Sequence, residues 1–146
     1  MPRIEFMGRV TCKAKVENAI DAAEALQGKR TSSEVRTVVV EDALVDTEAS
    51  TLALPTSMLR QLGFHTPSST RRSRNTTVSY IAKLYGPVRL WIDDRYITLD
   101  ALEVDDGCPV LIRQIPLEHL QYVVDITNHR LGPSSANGGE WIFDMY

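Results

Sequence analysis

Apolar residues that recur at every second position restrict the fold of this chain more than any other feature. Between positions 8 and 16, the apolar Val10, Cys12, Ala14 and Val16 alternate with polar or charged residues. Successive side chains of a β-strand point to opposite faces, so this spacing predicts a strand with one face in the core and one in water. The first predicted element is therefore a half-buried strand.

Further β-rich segments follow, and turn-forming residues separate them. Val35–Val45 is interpreted as one long strand or as two strands that meet at a bend. The other predicted strands are Val78–Leu84, Val88–Ile92, Tyr96–Val104 and Tyr122–Ile126. The polar residues 65–77 predict an exposed loop or the tip of a long hairpin. The acidic pairs Asp93–Asp94 and Asp105–Asp106 lie between strand segments, and we interpret them as turn residues rather than as an acid and a base.

Short helices are predicted where helix-forming residues follow a cap or a proline and end at a glycine. Residues 18–27 begin at Asn18 and end before Gly28, and they are interpreted as a short helix or a helical loop. Pro55–Gly63 and the residues after Pro116 are interpreted as short helices. We expect one or two short helices in a mostly β fold. The length of 146 residues suits one domain, 1–146, with a flexible Ser/Asn/Gly-rich segment at about 132–140.

Composition argues against several classes of protein. The 16 Lys and Arg against 19 Asp and Glu give a net charge of −3, whereas nucleic-acid binders usually carry a basic surplus. No run reaches the roughly 18 apolar residues of a membrane span, and the N-terminus lacks the apolar stretch of a signal peptide. We therefore expect no nucleic-acid partner, no membrane association and a cytoplasmic location.

The cysteines also fit a reducing compartment. Cys12 and Cys108 lie far apart and form no C-x-x-C pair. We expect buried or partly buried free thiols at both positions.

A single carboxylate, Asp46, follows the apolar segment Val35–Val45 and begins a polar turn. Thr47, Glu48 and Ala49 come next, and Leu54-Pro55 follows. This order resembles the active-site segment of retropepsin-like aspartic peptidases, in which an apolar run precedes Asp-Thr-Gly-Ala and a Leu-Pro follows. The later segment Pro109–Glu118 resembles the family's second motif, in which apolar residues lead to a glycine and a short helix. Bacterial single-domain members are the most similar.

The resemblance implies a retropepsin-like closed β-barrel and hydrolysis of peptide bonds by a pair of aspartates, without metal or cofactor. It implies that Asp46 is catalytic and that Thr47 carries inter-subunit hydrogen bonds beneath the pair. Residues 69–80 would form the flap over a peptide or unfolded-protein substrate, with a tip at Arg74, Asn75, Thr76 and Thr77.

One chain supplies only half of such a site. The other candidate aspartates, Asp100, Asp106 and Asp125, are followed by Ala, Gly and Ile, so none continues as Asp-Thr/Ser-Gly. A retropepsin-like site would therefore need Asp46 from two copies across a two-fold axis. The apolar C-terminal residues Trp141–Tyr146 are the candidate interface strand of this homodimer.

The chain departs from the family at both motif glycines, because Glu48 and Arg113 stand in their places. In the family these glycines lie near each other beneath the active site, so opposite charges there suggest a buried Glu48–Arg113 pair. Two alternatives follow. The chain is either an inactive, dimeric peptide-binding or structural module, or a β domain unrelated to peptidases.

Two weaker signals receive structural interpretations. His65, His119 and His129 are not spaced as metal ligands, so no metal site is expected. The basic run Arg71, Arg72 and Arg74 is interpreted as a solvated hairpin tip, with contact to an acidic partner as the alternative.

Overall fold

The structure is a computed structural model that describes residues 10–46, 51–74, 79–125 and 130–133. Strands dominate these residues, and three short α-helices connect them. The strands are β1 Val10–Asn18, β2 Thr37–Asp46, β3 Leu52–Pro55, β4 Ser69–Arg74, β5 Ser79–Ile92, β6 Arg95–Val104, β7 Leu111–Arg113, β8 Tyr122–Asp125 and β9 Arg130–Pro133. The helices are α1 Ala19–Leu26, α2 Thr56–Gln61 and α3 Gln114–His119.

Six strands form a closed barrel. They pair in the order β1-β2-β7-β3-β6-β5, and pairing of β1 with β5 closes the ring. β4 pairs with β5 outside the ring, and β8 and β9 form a separate hairpin. The predicted mostly β, closed-barrel fold class is confirmed, with three short α-helices in the described residues where one or two were expected.

The alternation in β1 positions the core as predicted. Val10, Cys12, Ala14 and Val16 are at most 4% exposed and belong to one apolar cluster inside the barrel. Burial raises the pKa of the Cys12 thiol to about 12, which keeps it protonated.

The prediction for the second cysteine is wrong. Cys108 is a free, exposed thiol rather than a buried or partly buried one. It lies in the turn after β6, where its N–H donates to the carbonyl of Asp105 at 2.9 Å. Turn residues lie on the surface, because their unpaired backbone N–H and C=O groups need hydrogen bonds with water. The Cys108 side chain is therefore exposed to solvent.

Two chain segments differ from the sequence prediction. Residues 79–92 form one continuous strand, although Tyr85–Pro87 were expected to separate two. The pairing of β5 with β6 shifts register between Tyr85 and Val88, and such an irregularity tolerates a proline that has no N–H for the ladder. The expected flexible segment overlaps β9 at Gly132 and Pro133, and residues 134–140 lie outside the described residues.

Helix α1 begins and ends where the sequence predicts. The Asn18 side chain accepts hydrogen bonds from the N–H groups of Ile20 and Asp21 at 3.0 and 3.1 Å. Gly28 follows the helix at φ 79°, a conformation that favours glycine. No helix in the described part of the chain is long and apolar enough to cross a membrane.

A buried carboxylate, Asp21, connects α1 to the strand that leads towards Asp46. Asp21 is 1% exposed and accepts hydrogen bonds from Nε and Nη2 of Arg36 at 2.8 and 3.0 Å. The backbone N–H of Arg36 also donates to it at 3.1 Å, and Arg30 Nη2 lies 3.5 Å away. The Arg36 side chain holds the pKa of Asp21 below its usual value, although burial opposes this effect.

We expect Asp21→Asn to lower the free energy of unfolding by about 2 kcal/mol at pH 7, because the buried carboxylate loses its charge-assisted hydrogen bonds with the partly exposed Arg36. The Asp21 pKa is depressed in the folded state, so its contribution is full above the unfolded pKa of about 3.9. That contribution is lost as pH falls through the folded pKa. Urea denaturation at pH 7 and at about pH 3 measures both effects.

The matched control is Asp42→Asn, which removes an exposed carboxylate from β2. It should change stability by less than about 0.5 kcal/mol. If the difference in unfolding free energy between wild type and Asp21→Asn increased as pH falls, Asp21 would not have the depressed pKa that we assign to it.

Candidate active site

Asp46 is the last residue of β2, and its backbone lies beside that of Arg113. The two strands run parallel over three residue pairs, Leu44–Leu111, Val45–Ile112 and Asp46–Arg113. Leu44 N–H also donates to the Val110 carbonyl at 2.9 Å. The two segments that resemble peptidase motifs are therefore neighbours in space.

Strand β7 lies between the two strands that flank the Asp46 turn. β2 pairs with it in parallel, and β3 pairs with it in antiparallel fashion at Ala53–Leu111. The chain therefore passes from one side of β7 to the other between Asp46 and Leu52. Leu52, Leu54 and Ile112 are fully buried, so this end of β2 rests on a packed core.

Arg113 brings a partly buried positive charge to this place. Its side chain is half-buried, and no hydrogen-bond acceptor within the described residues reaches its buried Nε. A buried N–H without an acceptor is unfavourable by about 1–3 kcal/mol. Arg113 precedes α3 with an extended backbone at φ −106° and ψ −178°, so the helix begins directly after the residue paired with Asp46.

The structure describes only part of the predicted site. Asp46 and Arg113 lie in paired strands, whereas Thr47, Glu48 and Ala49 lie outside the described residues. The Glu48–Arg113 pair therefore stays a prediction. Trp141–Tyr146, the predicted interface strand, also lies outside them.

The predicted flap coincides with a β-hairpin. β4 pairs with the first part of β5 from Ser69–Leu84 to Arg74–Ser79. Arg74 is the last residue of β4, and Asn75, Thr76 and Thr77 lie outside the described residues. Residues 65–77 were predicted as a loop or a hairpin tip, whereas residues 69–74 among them form a paired strand; the residues that join β4 to β5 lie outside the described residues.

Two of the three alternative aspartates, Asp100 and Asp106, accept hydrogen bonds from neighbouring elements. Asp106 accepts a hydrogen bond from Ser57 N–H at 2.8 Å at the start of α2, and Asp100 accepts one from Ser68 Oγ at 3.2 Å. Asp93 has φ 54° in the turn between β5 and β6, as a tight-turn residue does. The interpretation of the acidic pairs as turn residues agrees with these contacts.

Comparison with known proteins gives a similarity of fold. No family model and no curated protein matches the chain. Among solved structures, the chain is similar to the retroviral protease-like domain of Ddi1 from Leishmania major. The identity is 18% over 66% of this chain and 79% of that chain, with a TM-score of 0.45. The fold class itself rests on the strand pairing described above.

Metal ligands are not grouped in the part of the chain that the structure describes. Across residues 10–46, 51–74, 79–125 and 130–133, no three His, Cys, Asp or Glu side chains come together to hold an ion. His65, one of the three histidines, is exposed.

A polar and aromatic cluster on the outside of the barrel was not predicted from the sequence. Trp91 Nε1 donates to Glu17 Oε1 at 2.8 Å, and the Arg89 guanidinium lies over the Tyr96 ring at 4.7 Å. Lys15 Nζ lies 4.9 Å from the Trp91 ring centre, beside a surface groove of about 390 Å³. The alternation of β1 placed Lys15 on the wet face, but the pairing of β1 with β5 is not visible in the sequence.

Proposed function

We propose that this chain is a retropepsin-like aspartic peptidase that hydrolyses peptide bonds as a homodimer. The parallel register of β2 with β7 carries the proposal, because it brings the Asp46 segment and the Arg113 segment together where these two barrel strands end. Each copy contributes one Asp46 to the catalytic pair.

Two carboxylates held close together share one proton, because like charges about 3 Å apart do not both ionise. The ionised carboxylate takes a proton from water, and the resulting hydroxide adds to the carbonyl carbon of the peptide. The protonated carboxyl polarises the carbonyl oxygen, and a proton then passes to the departing amine as the C–N bond breaks. The two groups titrate as a pair, so neither has a pKa of its own.

The remaining parts of the proposed site follow from the resemblance. Thr47 of each copy supports the pair from below, and the β4–β5 hairpin serves as the flap over an extended peptide. Trp141–Tyr146 of both copies form the interface. No metal or cofactor takes part.

The test is cleavage of an unfolded protein substrate between about pH 3 and 7, measured with and without pepstatin. We expect pepstatin-sensitive cleavage whose specific rate falls on dilution, because dissociation of the dimer separates the two Asp46 residues of the catalytic pair. The midpoint of that loss should match the dimer dissociation measured by analytical ultracentrifugation. A stable monomer that cleaves at full rate would contradict the proposal.

A second candidate is favoured by Arg113. The backbone of the half-buried Arg113 pairs with that of Asp46. A guanidinium close to the two catalytic carboxylates would stabilise their ionised form and so oppose the shared proton. A Glu48–Arg113 pair would also fill the space that the two motif glycines of the family leave open. The chain would then be an inactive dimer that holds an extended peptide without cleaving it. Pepstatin or peptide binding with no cleavage across the pH range would select this candidate.

A further inference from the structure

The β4–β5 hairpin concentrates positive charge in an acidic protein. Residues 69–84 contain three arginines, one lysine and no acidic residue, whereas the whole chain carries −3, which leaves −7 on the remainder. Arg71, Arg72 and Lys83 are exposed, and none of the ion pairs among the described residues involves them. Among the described side chains, Arg71, Arg72 and Lys83 therefore carry charges that no carboxylate neutralises.

The hairpin also carries a free strand edge. Among the described strands, β4 pairs with β5 alone and lies at the end of the strand order. The outer edge of β4 therefore presents backbone N–H and C=O groups to any strand that approaches. Tyr80 and Ile81, next to each other on β5, are 50% and 62% exposed and add apolar surface to the two faces of the hairpin.

We propose that the outer edge of β4 binds an extended acidic segment of a partner protein by strand addition. Arg71 and Arg72 are consecutive, so they project to opposite faces of the hairpin. A strand added to β4 places its directly opposed side chains about 4.5–5.5 Å away, between Cβ atoms. Two consecutive acidic residues in the partner would therefore each face one arginine. The inference goes beyond hydrolysis, since it needs neither Asp46 nor a dimer.

Two other occupants fit the hairpin less well. A second copy paired edge to edge through β4 would bring the arginines of both copies together, and like charges on adjacent strands repel. Single-stranded nucleic acid is usually held by several stacking aromatics in a basic groove. The hairpin offers one aromatic residue, Tyr80, and the chain as a whole is acidic.

The experiment measures binding of a fluorescent peptide of about twelve residues by anisotropy. The peptide is rich in Thr and Val, with a Glu-Glu pair at its centre, and the full chain carries Asp46→Asn so that it cannot consume the peptide. We expect Arg71→Ser/Arg72→Ser to weaken binding by about tenfold, since two exposed ion pairs are lost. The matched control Lys13→Ser/Lys29→Ser removes equal charge elsewhere and should leave Kd within about twofold.

Peptide variants test the strand addition itself. Only every second N–H of an added strand faces the protein, so N-methylation of one alternate set should abolish binding and methylation of the other set should not. A Lys-Lys version should not bind. Equal binding of both methylated peptides, an equal loss in both protein variants, or tighter binding of an oligothymidylate at the same salt concentration would overturn the proposal. Because the assay contains no cleavage step, its failure would leave the peptidase proposal standing.

Discussion

Asp46→Asn is expected to lower the rate of pepstatin-sensitive cleavage by about 10³-fold or more, while leaving the fold intact. An amide neither takes a proton from water nor shares one with the second carboxylate. The substitution keeps the size of the side chain, so thermal unfolding should be close to that of wild type. The measurement is the initial rate at the wild-type pH optimum, with unfolding followed by circular dichroism.

A mixing experiment separates a shared site from two independent ones. If each site needs Asp46 from both copies, equilibrating wild type with an equal amount of Asp46→Asn should reduce activity per wild-type chain to roughly half, because random pairing inactivates the mixed dimers. Activity per wild-type chain that does not change on mixing would show that one copy suffices. An Asp46→Asn protein that cleaves as fast as wild type would remove Asp46 from the mechanism.

Arg113→Gly is expected to lower the free energy of unfolding by about 3 kcal/mol, because it would leave the Glu48 carboxylate without its partner in a partly buried place. The double variant Glu48→Gly/Arg113→Gly restores the glycines of the family motif and should recover most of the loss. Urea denaturation at one fixed protein concentration measures all three proteins, since dimer stability depends on concentration.

The double variant also bears on activity. If Arg113 suppresses the shared proton, restoring both glycines should raise the rate of cleavage. An Arg113→Gly protein as stable as wild type would show that no Glu48–Arg113 pair contributes to the fold. Equal losses in the single and double variants would assign the effect to lost packing of the arginine side chain.

Local sequence patterns identified most of the barrel. The period-two spacing in β1, the Asn18 cap and the turn at Asp93–Asp94 are each determined by near neighbours, and the structure contains all three. The sequence did not predict that β5 is continuous. Gly86–Pro87 is a typical turn sequence and predicts the end of a strand, whereas β5 pairs with β6 on both sides of this dipeptide. Cys108 was misjudged for a related reason, since composition alone does not distinguish a core thiol from a turn thiol.

The candidate site was predictable in part. The resemblance of two separate segments gave Asp46 and Arg113, and the structure pairs their backbones. The register of that pairing was not predictable. The paired residues are 67 positions apart in the sequence, and no local sequence pattern indicates which residues of two distant parallel strands lie side by side. The Asp21–Arg36 pair was missed as well. A carboxylate in the first turn of a helix normally signals a helix-dipole interaction on the surface, whereas this one is buried.

The closure of the ring has a consequence for how the protein folds. Asn18 at the end of β1 pairs with Val88, 70 residues further along the chain. A growing polypeptide therefore exposes the unprotected side of its first strand until the fifth has left the ribosome. Contacts of such large sequence separation form slowly. Correct assembly of the barrel therefore requires that β1 does not pair with a strand of another molecule before β5 is available.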